Sequence, residues 1–330
     1  MKKILSKLCG GVLLCALSMS LTSCEDVLGH WEKPSPNPIT PPSGGETPVT
    51  PEEIIYAFSL RNMADDADIT AGLFKLTDQN GTEIAYATSD GKYTIKADDL
   101  SSVTTLWLEV ISNEDKKYIA KATVEELPAI AEAGKLKMAT IGDVILSDGK
   151  FGVAGTEGQL AMIAYLGDGD DSDATYNHGL ALALKDANNG SAAKWCSQRS
   201  ETCLGTGHQF GSLAGAKGDM AGIDNTDYLI NHAPTGHTHD AASEARGYNG
   251  GTYPDGTSAW FLPSASQWDK MATAAGGYAN LNTNAGLQSD RYWSSSEADS
   301  SNAWRYVFDI GSLSIDTKDS GNLVRACLAF

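Results

Sequence analysis

Along residues 54–138 apolar and polar positions alternate in short runs: Tyr56-Ala57-Phe58-Ser59-Leu60, Gly72-Leu73-Phe74-Lys75-Leu76 and Tyr93-Thr94-Ile95-Lys96, then residues 104–111 and 118–124. A period of two puts successive side chains on opposite faces, so each run predicts a strand with one buried face. Gln79-Asn80-Gly81 and Ser89-Asp90-Gly91 separate the runs with turn residues at the spacing of a sandwich. Residues 53–138 are therefore expected to form a small all-β sandwich. They carry no Ser/His/Asp or carboxylate constellation, which leaves a stalk or spacer as the default role.

From residue 139 onward the period is mixed. Residues 160–166 and 179–184 read as strands, and residues 220–231, with Met220, Ile223 and Ile230 apolar, read as a helix. A second helix follows Pro263. There Ser264-x-x-Gln267 is a capping box, Trp268, Met271, Ala272 and Ala275 form the i, i+3, i+4, i+7 stripe, and Gly276-Gly277 stops it. In Trp304-Arg305-Tyr306-Val307-Phe308-Asp309, alternation assigns Trp304, Tyr306 and Phe308 to a core face and Arg305, Val307 and Asp309 to the opposite one. Helices against irregular strands, joined by long Gly-, Ser- and Asp-rich loops, make residues 139–330 an α+β domain.

The first fifty residues are of another kind. Lys2, Lys3 and Lys7 precede an apolar run over residues 8–21, too short to cross a bilayer, so residues 1–23 read as a secretion signal. Leu21-Thr22-Ser23-Cys24 resembles a bacterial lipobox, which would make Cys24 the lipidated first residue of the mature chain. Glu25-Asp26 resembles the surface-export signal of Bacteroidetes lipoproteins. The location these imply is the outer membrane, lipid-anchored and facing the cell exterior. Seven of the eleven prolines fall between Pro34 and Pro51, so residues 24–52 are expected to act as a semi-rigid polyproline spacer.

Removing residues 1–23 takes away three lysines and no acid, and the net charge moves from −18 to −21. So acidic a surface repels phosphate backbones, which excludes nucleic acid as a partner. The membrane link rests on lipid alone. After Cys24 only Cys196, Cys203 and Cys327 remain. Cys196 and Cys203 are close enough for a small disulfide loop, a pairing that spacing alone leaves open. Cys327 alternates with apolar neighbours and reads as a buried small hydrophobe.

Two clusters invite a metal. Asp168-Gly169-Asp170-Asp171-Ser172-Asp173 gathers carboxylates as calcium sites do, but an EF-hand counted from Asp168 needs Gly and Glu where Asp173 and Gly179 stand. His232, His237 and His239, with Asp240, offer zinc ligands without a visible second shell. His178 opens an apolar strand and reads as a structural hydrogen-bonding residue. No metal or cofactor is assigned.

Four blocks occur in order: Ile141-Gly142-Asp143 with Ser147-Asp148-Gly149; His178-Gly179-Leu180-Ala181-Leu182-Ala183-Leu184-Lys185-Asp186-Ala187; Trp260-Phe261-Leu262-Pro263-Ser264; and Tyr292-Trp293-Ser294-Ser295-Ser296-Glu297. Beyond them Trp304, Phe308, Gly311, Val324, Arg325 and Phe330 form a fixed scaffold among small polar residues. This pattern, over residues 139–330, resembles the C-type-lectin fold, in the branch shared by formylglycine-generating-enzyme-like domains and the variable proteins of diversity-generating retroelements. The implied whole is a C-type-lectin-like domain preceded by the sandwich, on a Bacteroidetes-type surface lipoprotein.

The enzymes of that branch oxidise with a cysteine pair near the C-terminus and a Gly-Gly-Ser-Trp-type segment. This chain has Cys327 alone there and reads Tyr-Trp-Ser-Ser-Ser-Glu, so the resemblance implies no enzyme activity. The retroelement proteins instead vary exposed positions of the last strands. Matched onto residues 290–330, the variable, ligand-binding positions would be Asp299, Ser301, Arg305, Val307, Asp309, Ile310, Ser312, Ser314, Asp316, Asp319 and Asn322. Such residue types are also common on any loop-rich surface, so an ordinary domain of the family is the alternative. The implied partner is an unknown protein or glycan. A fimbrial or adhesin subunit is the runner-up, and a formylglycine-generating-type oxidase is the reading from another class.

Overall fold

Alternation becomes strand almost wherever it occurs. The computed structural model describes residues 53–205, 208–233 and 236–330. The expected signal peptide, Cys24 and the proline spacer all lie outside the described residues. Strands β1 (Ile55–Asn62), β2 (Leu73–Asp78), β3 (Ala87–Ser89), β4 (Lys92–Lys96), β5 (Thr105–Ser112) and β6 (Asp115–Thr123) precede a short helix α1 (Leu127–Ala133) and β7 (Lys135–Met138). One sheet has the order β3-β4-β1-β7 and another the order β2-β5-β6. Their inward residues, among them Phe58, Leu60, Phe74, Leu76, Ile95, Leu106, Leu108 and Val110, share one core. Helix α1 departs from the all-β expectation. It begins with a proline in its first turn and ends on Gly134 at φ +67°, the left-handed conformation that glycine adopts without strain.

The chain continues through β8 (Val144–Leu146), β9 (Phe151–Gly152), β10 (Gln159–Leu166), β11 (Gly179–Ala183) and β12 (Ala193–Lys194). Helices α2 (Leu213–Ala216), α3 (Gly222–Asn231), α4 (Asp240–Arg246), α5 (Ala265–Ala274) and α6 (Tyr278–Ala285) follow, then β13 (Arg291–Glu297), β14 (Asn302–Val307), β15 (Ser312–Thr317), β16 (Gly321–Asn322) and β17 (Cys327–Ala329). The central sheet runs β17-β11-β10-β8-β9. It is apolar on both sides of the pleat because both sides are covered. Met162, Ala164, Leu180 and Leu182 face Trp268 and Met271 of α5, and Ile163, Ala181 and Ala183 face Trp195, Trp260 and Trp293. The alanines that weaken a strand reading make room for these large rings.

The described residues from 53 onward form one compact unit. Ile119 and Ala139 exchange backbone hydrogen bonds of 2.8 and 2.7 Å. Trp107 of β5 stacks on His178 with ring centroids 3.9 Å apart. Beside it the buried Glu109 carboxylate accepts from His178 Nδ1 at 2.7 Å and from Lys116 Nζ at 2.6 Å. The architecture is thus mixed α+β and mostly sheet. Among the described residues no helix is long and apolar enough to cross a membrane.

Candidate functional site

Helix α5 positions the last strands. The Ser264 backbone N–H donates to Gln267 Oε1 at 2.8 Å while the Gln267 N–H donates to Ser264 Oγ at 3.3 Å, which is the capping box read from sequence. Gln267 does more than cap. Its Nε2 donates to Gly169 O at 2.7 Å and to Asp170 Oδ2 at 2.9 Å, which ties the acidic loop to the helix. Trp268 then presents a buried ring to Tyr292, Tyr306 and Phe308, with centroids 5.8, 6.1 and 5.6 Å away. In the sheet β13-β14-β15, Tyr292 pairs with Tyr306 and Tyr306 with Leu313. Gly311, at φ +65°, closes the β14–β15 turn where any Cβ would sit 2.0 Å from Tyr278 Cδ1. The positions read as scaffold, Trp293, Trp304, Phe308 and Arg325, are all buried. Arg325 donates to Asp186 Oδ1 at 2.8 Å and to Ala183 O at 2.7 Å.

The eleven candidate ligand positions divide. Asp299, Asp309 and Ile310 are exposed, Ile310 by 65 %. Ser301, Arg305, Ser312, Ser314, Asp316 and Asp319 are half-buried. Val307 and Asn322 are buried at 7 % and 4 % exposure. Strand alternation reads Val307 as outward, but both faces are covered at that point, β14 ends there, and Phe308 already belongs to the turn. Arg305 is committed within the chain, paired with Asp316 and donating to Asn322 Oδ1 at 3.1 Å. Asp299 Oδ1 accepts from the backbone of Ser301 and Asn302 at 2.7 and 2.9 Å. Asp309, Ile310, Ser312 and Ser314 are left as the hairpin's outward set.

Behind the hairpin lies a polar interior that sequence reading missed. Ser294, Ser295, Ser296, Glu297 and Lys318 are each 0 % exposed. Ser294 Oγ donates to Trp304 O at 2.8 Å, and Ser296 Oγ accepts from the Ala265 N–H at 2.8 Å while donating to Asp219 Oδ2 at 2.5 Å. Burial pushes the Asp219 carboxyl up, opposed by these hydrogen bonds. Glu297 accepts from the backbone N–H groups of Cys203 and Leu204 at 2.8 and 3.0 Å and pairs with Lys318. The signal was present in Ser-Ser-Ser-Glu: a polar run between buried aromatics must find its partners inside.

The metal candidates are redistributed. Asp170 is fully buried, and its carboxylate accepts from Ser172, the Ile223 N–H and Gln267, an architectural use of the acidic loop. Of the three histidines, His232 stacks on Tyr228 at 4.3 Å and His237 lies against Glu201. His239 is buried beside Cys196 and Cys203, with its side-chain ligand atom and their sulfurs all within 4.8 Å of one another. Cys196 and Cys203 are free thiols here. Cys327 is fully buried, as its apolar neighbours imply.

The larger clefts lie away from the hairpin. One of about 620 Å³ is lined by Leu204, His208, Asp224, Asp227, Tyr228 and His232, and one of about 470 Å³ by Lys116, Thr140, Tyr165, Asp269 and Lys270. No candidate ligand position lines either. No family model and no curated protein matches the chain. Among solved structures, the crystal structure of a fimbrial protein from Bacteroides ovatus is similar at 14 % identity and a TM-score of 0.46, over 84 % of this chain and 71 % of that one.

Proposed function

We propose that this chain is a surface lipoprotein, anchored to the outer membrane through Cys24, whose lectin-like C-terminal part binds a protein or glycan through the outer side of the β14–β15 hairpin. The observation that carries the reading is the division of that hairpin. Trp304, Tyr306, Leu313 and Phe308 are fixed in a core, while Asp309, Ile310, Ser312 and Ser314 stand outside it. A site for a small molecule is concave and apolar. This surface lines none of the clefts described above, which suits a macromolecular partner. The lone, buried Cys327 supports binding over oxidase chemistry.

A test replaces Asp309, Ile310, Ser312 and Ser314 together and follows binding of the labelled protein to host and bacterial surfaces and to a glycan array. Loss or redirection of binding at an unchanged melting temperature is the expected result. Binding indifferent to all four residues rejects the hairpin as the ligand face. Separately, Cys24→Ala should release the protein into the soluble fraction.

One observation favours a second reading, a fimbrial or adhesin subunit. Among the described residues strand β15 is an edge, paired only with β14, and it carries the exposed Ile315. An open edge can accept a strand from another chain. Light scattering of the purified protein separates the two, because strand addition would build oligomers that Ile315→Pro, which removes an N–H on the open edge and not one bonded to β14, prevents.

A further inference from the structure

Cys196, Cys203 and His239 come from separate segments, and each is held by its backbone. The N–H groups of Trp195 and Cys196 donate to Lys318 O at 2.9 and 3.1 Å. The Cys203 N–H donates to Glu297 Oε1 at 2.8 Å. The Ser197 N–H donates to Thr238 O at 2.8 Å, and the Thr238 N–H returns to Ser197 Oγ at 2.9 Å, which brings His239 at the start of α4 against the cysteine loop. The three side chains are 0 %, 7 % and 3 % exposed. Among the described residues His239 Nδ1 has no hydrogen-bond partner. A buried imidazole nitrogen left unpaired is costly, and such groups ask for an explanation.

We propose that Cys196, Cys203 and His239 form a buried three-ligand site for a soft d10 cation, copper(I) or zinc(II). Thiolate and imidazole are the ligands these ions select. Zn–S bonds of about 2.3 Å at the tetrahedral angle place two sulfurs about 3.8 Å apart, so ligand atoms within 4.8 Å need to move little. The Trp195 ring packs edge-on against the His239 ring, with centroids 5.8 Å apart, and holds its orientation. A disulfide between the cysteines would satisfy both sulfurs and leave His239 Nδ1 unpaired. A cation bound through His239 Nδ1 would satisfy all three. Because the ligands are buried, the ion would clip the 196–203 loop to α4 and take no substrate. The proposal is independent of the ligand face above.

The test uses the full mature chain. Purified protein is exposed to zinc(II), or anaerobically to copper(I), passed through gel filtration and assayed for metal. One equivalent of one of these ions is expected, with X-ray absorption showing sulfur near 2.3 Å. Cys196→Ser, Cys203→Ser and His239→Phe should each reduce retention at least tenfold. A strong chelator should lower the melting temperature of the loaded wild type alone. The wild-type measurements stand even where a variant fails to fold. Retention of neither ion overturns the site. So does protein isolated two hydrogens light, with Cys196 and Cys203 joined as a disulfide.

Discussion

Three serines in β13 and two in β15 look alike on paper and do opposite work. Ser294, Ser295 and Ser296 lie in the interior, and every hydroxyl there meets a partner: Trp304 O, Asn225 Nδ2, the Ala265 N–H and Asp219. Ser312 and Ser314 face outward, and the one hydroxyl bond among them, Ser314 Oγ to Ile315 O at 3.4 Å, is long. In the first set a hydroxyl is part of a network that fixes the strand against α5. In the second it is a small, polar, replaceable surface. The difference lies in what covers each strand and not in residue type.

The comparison can be broken at its most buried point. Lys318→Met should destabilise by about 3–5 kcal/mol in denaturant unfolding, because it leaves the Glu297 charge buried without its partner. The double variant Lys318→Met with Glu297→Gln should recover part of that loss. No recovery in the double variant would show that the pair is not the anchor described. Next in size, Ser296→Ala strands the Asp219 carboxyl and the Ala265 N–H and should cost about 1–3 kcal/mol.

Acid probes the same contrast at the junction with the first two sheets. Burial, opposed by the Glu109 hydrogen bond, holds His178 below its ordinary value. As pH falls through about 6.5 an unfolded histidine takes a proton that folded His178 refuses, so stability declines on acidification. Glu109, whose burial is outweighed by His178 and Lys116, titrates below its ordinary range and adds loss of the same sign at lower pH. Melting curves between pH 7 and 5 should slope less in His178→Gln. The smallest effect belongs to the outer set: Ser312→Ala and Ser314→Ala should each change stability by less than about 0.5 kcal/mol.

Much of the frame was legible because local rules govern it. Period-two runs gave β1, β2, β4, β5 and β6, and Ser264-x-x-Gln267 located the start of α5. Helices α1, α2, α4 and α6 were missed, since they are short and make their contacts with distant segments. Val307 reads as outward by alternation but is covered, because the number of layers over a strand is a tertiary property. The Cys196, Cys203 and His239 cluster could not be read either. Spacing groups His239 with its sequence neighbours His232 and His237, and only docking of α4 brings it to the cysteines.

The β14–β15 hairpin closes through a short turn, whereas β11 waits for β17, its partner from the far end of the domain, Leu180 against Ala329. Closing that span costs more chain entropy than closing the hairpin, so the central sheet is expected to be the slower of the two to form. Exchanging outward residues of the hairpin should therefore leave both arms of the chevron in place. A surface rewritten there would alter what the protein meets without altering how quickly it becomes itself.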